Sequence, residues 1–272
     1  MMKEFVGEFL GTFILVLFGC ASVASSVLFG EYNSIFQIGI VWGIGVMLAI
    51  YLTRHLSCAH LNPAVSVAMV ISKRMLARKL PVYLSAQFLG ALLAGGVVFM
   101  LFSPSIEAYE SSRGIVRGTE ASIETAKMFG EFYSFSGSKA VVSMNLAMGA
   151  EAFGTFLLLL LIFALTEGCN VGRPSDTVAP VFIGLAVTSI ICLLAPLTQA
   201  GLNPARDFGP RIVAWLTGWG SAAFPDNNGG FFFVYILAPV VGGTAASLFF
   251  LHIIEPLMKQ TSKACKCDKH IN

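Results

Sequence analysis

Two short elements carry the most chemistry in this sequence, Asn62-Pro63-Ala64 and Asn203-Pro204-Ala205. Proline suits the first position of a helix because its missing N–H would have no intrahelical partner there, and Asn immediately before it is a good N-cap. Each element is therefore a helix start. The apolar pieces that follow, 61–71 and 203–216, are much too short to cross a bilayer. Two carboxylates stand out by their surroundings: Glu8 and Glu151 lie in strongly apolar stretches, where an ionisable group is a functional candidate by default.

The elements that must position these residues follow from composition. Of 272 residues, 56% are apolar and 12% charged, with a mean hydropathy of +0.78. A soluble domain carries roughly 25% charged residues, so the implied solvent is lipid. A net charge of +2 is too balanced for a nucleic-acid surface. Stretches nearly free of charge run at 9–29, 35–53, 81–102, 141–166, 178–197 and 230–254, each near or above the roughly 20 residues of a spanning helix. They are continuously apolar rather than alternating, which excludes barrel strands. The expected fold is all-α, with six spanning helices.

The first stretch is not expected to be a cleaved leader, because its leading region holds Glu4 and Glu8 beside a single Lys3 and the apolar run is too long. Cys20 and Cys192 fall in spans, while Cys265 and Cys267 fall in a polar tail, so no disulfide is expected. With the N-terminus inside, inward connections hold eleven Lys and Arg against six outward. The positive-inside rule then puts both termini in the cytoplasm of a multi-pass membrane protein.

The chain repeats itself. Gly7-Glu8-Phe9-Leu10-Gly11-Thr12-Phe13 returns as Ala150-Glu151-Ala152-Phe153-Gly154-Thr155-Phe156, and His60-Leu61-Asn62-Pro63-Ala64 returns as Gly201-Leu202-Asn203-Pro204-Ala205. The expected division is a first repeat at 1–140, including an extracellular loop at 103–140, a second at 141–255, and a basic, disordered tail at 256–272. Three spans per half is an odd number, so the second copy enters the membrane from the opposite side, and a solute site belongs where the halves meet. Small residues four apart, among them Gly39 and Gly43, and Ala238 and Gly242, suit close helix packing in lipid.

Inversion would bring the two half-helix N-termini together at the membrane centre, each with about half a positive charge from its dipole. Non-helical backbone at that depth must be buried or line a wet cavity, so Cys58-Ala59-His60 and Gln199-Ala200-Gly201 should turn carbonyls toward a pore. The paired dipoles oppose cations, while Asn62 and Asn203 amides donate to a passing oxygen and interrupt a proton wire. The expected conductor is a neutral, hydrogen-bonding molecule.

On these motifs the chain resembles the major intrinsic protein family, the aquaporins and glycerol facilitators, over about residues 4–255. The resemblance implies a right-handed bundle of six helices and two re-entrant half-helices, a homotetramer in the cell membrane, and a selectivity filter at Trp42, Ile191, Ala200 and Arg206. It also implies that Glu8 and Glu151 are structural, each accepting N–H groups from its own half's loop, with His60 a donor in that loop. Arg206 brings fixed donors and a permanent charge, Trp42 an apolar wall and an indole N–H, and Ile191 and Ala200 nothing polar. That set is closest to the plant nodulin-like members, similar channels for glycerol, water and other small neutral solutes. Asp207 and Arg211 match the glycerol-facilitator signature, whereas Tyr235-Ile236 and Cys58 depart from it.

The expected function is a passive channel for glycerol or a similar polyol, also passing some water, with no cofactor, metal, nucleic acid or enzymatic activity. Undissociated lactic acid, a metalloid hydroxide, urea or ammonia are alternative solutes, and a proton-coupled transporter using Glu8 or Glu151 is an alternative class. The loop 103–140 is either a vestibule element or solvated. Cys265, Cys267 and His270 form too small a cluster for a metal site.

Overall fold

The computed structural model describes residues 1–134, 140–225 and 229–260, so the Cys265, Cys267 and His270 cluster and most of the basic tail lie outside the described residues. Six helices are long and apolar enough to cross a membrane. They are α1 (Met2–Phe29), α2 (Ile35–Ser57), α4 (Leu80–Arg113), α6 (Met144–Thr166), α7 (Ala179–Thr198) and a last span at Phe231–Gln260 built around α9 (Ala238–Phe249). Between them lie two short helices that begin at the Asn-Pro-Ala elements, α3 (Pro63–Ile71) and α8 (Pro204–Ala214). A further turn, α5 (Ile123–Ala126), sits in the connection after α4.

Local chemistry sets the ends. Ser34 and Gln37 form a capping box at the start of α2, which satisfies two N–H groups that the first turn leaves free. Ser143 caps α6, and α1 stops at Gly30, whose φ of 68° is left-handed and suits a residue without a Cβ. The loop expected at 103–140 is a point of difference, because α4 remains helical to Arg113 across Pro104. Proline removes one helical hydrogen bond, which membrane helices tolerate, and polar helix-forming residues beyond it extend the rod. What remains of the connection is not simply solvated, since Met128, Phe129, Glu131 and Phe132 are buried.

Packing follows the repeat. α1 lies on α2 and α4, as α6 lies on α7 and the α9 span. The half-helices cross over, α8 packing on α4 and α3 on α9, while α2 and α7 meet each other. Exchanging α1 with α6, α2 with α7, α3 with α8 and α4 with α9 maps this set of contacts onto itself. Close approach depends on glycine at two places: a Cβ on Gly43 would come within 2.5 Å of the Gly184 carbonyl oxygen, and one on Gly242 would overlap the Ala152 carbonyl. Lipid gives helices no hydrophobic drive to associate, so such backbone contact is a main source of cohesion.

Candidate functional site

The chain enters each half-helix through a strained loop. Cys58, Ala59 and Leu61 on one side, and Gln199, Ala200 and Leu202 on the other, have φ between 52° and 72°, a region costly for residues with a Cβ. A buried carboxylate holds each loop in place. Glu8 accepts the N–H groups of His60 at 2.9 Å and Leu61 at 2.7 Å, and the Gln87 amide at 2.7 Å. Glu151 accepts the N–H groups of Gly201 at 2.9 Å and Leu202 at 2.7 Å, and the Thr198 hydroxyl at 2.6 Å. His60 also meets Ser66 at 3.3 Å and lies against the Tyr83 ring.

The two caps face each other. Asn62 Oδ1 accepts from the Ala64 N–H at 2.8 Å, and Asn203 Oδ1 from the N–H groups of Ala205 at 3.1 Å and Arg206 at 3.2 Å. Their amide nitrogens then cross the junction: Asn62 donates to the Leu202 carbonyl at 2.9 Å and Asn203 to the Leu61 carbonyl at 2.8 Å. One of each amide's two hydrogens is consumed this way, leaving one for a solute. Two helix N-termini, each with a partial positive charge, are thereby locked end to end.

A continuous cavity of about 550 Å³ runs past this junction. It is lined by the two loops, both Asn side chains and, toward one mouth, Trp42, Ile191, Ala200 and Arg206. The structure thus brings together all four residues of the sequence-derived filter. The Arg206 guanidinium lies 4.3 Å over the Trp42 ring, a stacked cation–π arrangement. Its charge is not bare, as the sequence suggested: Nη2 is ion-paired with the Glu131 carboxylate, and both side chains are almost wholly buried. The other terminal nitrogen, Nη1, is buried without a hydrogen-bond partner.

Glu131 reaches the cavity from the connection after α5. Its own N–H donates to Asp207 at 2.7 Å, and its carbonyl accepts from Arg211 at 2.8 Å. Arg211 is in turn bidentate to Asp207, at 2.7 and 3.1 Å, so a buried ion pair on α8 clamps the loop to the half-helix. The next N–H, of Phe132, donates to the Gln199 side chain at 2.6 Å. Burial pushes the Glu131 carboxyl up to about 7, even against the pull of Arg206.

The opposite mouth is lined by Arg54, Arg74 and Lys79 together with apolar residues. Arg74 pairs with Glu167 at 2.5 Å and Glu255 at 3.1 Å, and Lys79 with Glu4 at 2.5 Å; Arg54 donates to the Asp176 carbonyl. Among the described residues, no group of three His, Cys, Asp or Glu is placed to hold a metal ion.

Sequence reasoning missed Glu131, one of three acidic residues between α4 and α6, and it missed the role of two tyrosines. Tyr83 donates to the Ser57 carbonyl and Tyr235 to the Thr198 carbonyl, the last residues of α2 and α7. Tyr235, a departure from the family pattern, thus does for the second loop what Tyr83 does for the first. Ser57 and Thr198 also match, each accepting the N–H two residues on.

The sequence matches the family described as Major intrinsic protein over residues 1–250. It is 39% identical over 243 residues to the glycerol uptake facilitator protein of Pseudomonas aeruginosa, covering 89% of this chain and 85% of that protein. It is 34% identical over 271 residues to a propanediol uptake facilitator of Citrobacter freundii, covering 99% and 98%. Among solved structures, the aquaglyceroporin from Plasmodium falciparum superposes with a TM-score of 0.81 at 27% identity, covering 95% of this chain and 99% of that one.

Proposed function

The chain belongs to the major intrinsic protein family, and on that footing we propose that it is a passive, uncoupled membrane channel for glycerol and similar small neutral polyols, passing some water and excluding ions and protons. The observation that carries this reading is the reciprocal pair Asn62 to Leu202 and Asn203 to Leu61 inside a continuous cavity. It joins two positive helix ends around amide donors, an arrangement that repels cations and hydrogen-bonds a neutral oxygen. Trp42 faces the carbon backbone, Arg206 binds hydroxyls, and Ile191 and Ala200 leave the constriction apolar and open. Pro63, Ala64, Pro204 and Ala205 shape the two helix starts. Glu8 and Glu151 are fully engaged by their loops, which favours a structural role over proton coupling. Both termini face the cytoplasm, and the protomers assemble as a tetramer through their lipid-facing apolar surfaces.

The glycerol facilitators among its relatives support glycerol, and the propanediol facilitator, matched along nearly its whole length, supports a second reading in which a diol is the preferred cargo. Stopped-flow light scattering on proteoliposomes, run in parallel with water, glycerol, propanediol, urea and lactic acid, separates these solutes. Glycerol flux no faster than in empty vesicles rejects the polyol channel, and flux that collapses with the proton gradient rejects a passive one.

A further inference from the structure

Resting on the reading of a polyol channel, we propose that Ser66 and Gln87 are positioning residues that hold the His60 ring as its Nε2–H tautomer, so that the half of the pore away from the filter presents a fixed donor to the oxygen of a passing solute. A neutral imidazole carries one N–H hydrogen, and the bond made by one ring nitrogen decides what the other can offer. The relay that decides it starts at Glu8. Its carboxylate accepts the N–H groups of His60 and Leu61 and, at 2.7 Å, the Gln87 amide. The nitrogen of that amide, not its oxygen, must therefore face Glu8, because a reversed amide would set one acceptor against another. The same nitrogen gives its second hydrogen to Ser66 Oγ at 2.9 Å. Ser66 is thus an acceptor toward Gln87, and the other side chain it meets among the described residues is His60, at 3.3 Å from Nδ1. Its own hydrogen goes there, which leaves Nδ1 bare and puts the hydrogen of the ring on Nε2.

Ser66 and Gln87 are wholly buried, so bulk water does not compete for these bonds, and the Tyr83 ring, 4.9 Å from that of His60 between centres, fixes the plane of the imidazole. Among the described residues no protein group bonds Nε2, and His60 lines the cavity together with Cys58 and Ala59. Backbone carbonyls along such a loop can only accept. A polyol hydroxyl both donates and accepts, so its hydrogens are served by carbonyls on this side while its oxygens need donors. Asn62 offers one free amide hydrogen at the junction, and His60 Nε2 supplies the next. The half of the pore on the filter side has Arg206 for that purpose, and the repeat has no such relay there. His60 and Ser66 stand opposite Gly201 and Asp207, and Gln87 stands opposite Pro239, each of that last pair four residues after the tyrosine of its half. Gly201 has no side chain, and Pro239 has no donor.

The test is magic-angle-spinning NMR of the wild type in proteoliposomes with isotope-labelled histidine, the His60 signals being assigned by their loss in His60→Phe, beside stopped-flow permeability to glycerol and water. In the wild type the hydrogen is expected on Nε2 with Nδ1 bare, and a hydrogen on Nδ1 overturns the proposal. Ser66→Ala removes the bond to Nδ1. It should move part of the His60 population to the Nδ1–H form and lower glycerol permeability by about threefold, with water permeability kept within about twofold. An unchanged His60 spectrum in Ser66→Ala, or a changed spectrum with unchanged glycerol permeability, overturns the proposal. Equal losses for glycerol and water mark a merely structural role and overturn it too. Should Ser66→Ala not assemble, His60→Phe keeps a ring and removes the donor, and glycerol permeability equal to that of the wild type then overturns the proposal. A wild type that conducts glycerol with the hydrogen on Nδ1 removes only this role of Ser66 and Gln87, whereas one that conducts no glycerol removes the polyol channel itself and this role with it.

Discussion

The two half-helices share one plan at their caps and follow different plans one turn further in. Asn62 and Asn203 cap, cross and meet with bond lengths that match to within a few tenths of an ångström. Beyond the caps, at the same offset, Val65, Ser66 and Val70 in α3 stand opposite Arg206, Asp207 and Arg211 in α8. The first half-helix thus carries no charge where the second carries three charged groups, all buried. Charge exclusion at the junction needs two matched dipoles and is therefore symmetric. On the proposed reading recognition needs only one constriction, and the charged groups that could provide it lie on α8 and Glu131.

The largest effects should come from breaking the symmetric part. Glu8→Ala and Glu151→Ala each strand two backbone N–H groups in the membrane, at about 1–3 kcal/mol apiece, together with a side-chain donor. Both variants should lose most of their monodisperse protein on size exclusion in detergent, to a similar extent. A well-folded, heat-stable Glu8→Ala beside a failed Glu151→Ala would break the equivalence of the two halves.

Next comes the asymmetric part. Arg206→Val copies Val65 into the second half-helix and leaves Glu131 buried without its cation, a loss that costs about 3–5 kcal/mol when a buried pair is broken. The glycerol-to-urea permeability ratio should fall by about tenfold or more, while Val65→Ala should leave that ratio within about twofold. Equal changes at the two positions would show that recognition is not confined to one mouth.

This division also marks what was legible in the sequence. The spans, the duplication and the two caps are local signals: apolar length, a repeated string, and Asn followed by Pro. The four proposed filter positions came from the resemblance, which ties them to those motifs by spacing, and all four line the cavity. Glu131 did not come with them, since its partner Arg206 lies far along the chain and nothing distinguishes it locally from Glu107, Glu110, Glu120 or Glu124. The only hint is its preceding Gly130, whose reason is visible only once Arg211 is in place. The extent of α4 was misjudged for another cause. Apolar length reports the hydrocarbon, not the helix, which continues beyond the apolar stretch as far as Arg113.

A smaller effect grades the caps against each other. Asn62→Ala and Asn203→Ala each remove an N-cap, worth about 1 kcal/mol, and one crossing bond. Asn203 serves two N–H groups where Asn62 serves one. Thermal unfolding in detergent should therefore show the larger loss for Asn203→Ala, and the reverse order would mean that the caps are unequal in some way their bonds do not record.

The least effect, and the finest test of equivalence, lies with the two tyrosines. Tyr83 and Tyr235 stand at equivalent places in the two halves, each seven residues before a glycine that closes on the first span of its half, Gly90 on Phe9 and Gly242 on Ala152, and each donates to the carbonyl that ends the preceding span. The repeat has therefore kept both the residue and its hydrogen bond. That carbonyl stands at the start of a loop in the left-handed region, where no helical donor is available to it. Phenylalanine keeps the ring and removes the bond, so Tyr83→Phe and Tyr235→Phe should each cost about 1 kcal/mol or a little more. The expected result is two modest and similar drops in unfolding temperature with glycerol permeability unchanged. Should only Tyr235→Phe lower permeability, the second loop would be tuned for conduction as well as held in place, because Tyr235 packs beside Gly201 and Arg211 while Tyr83 packs beside His60.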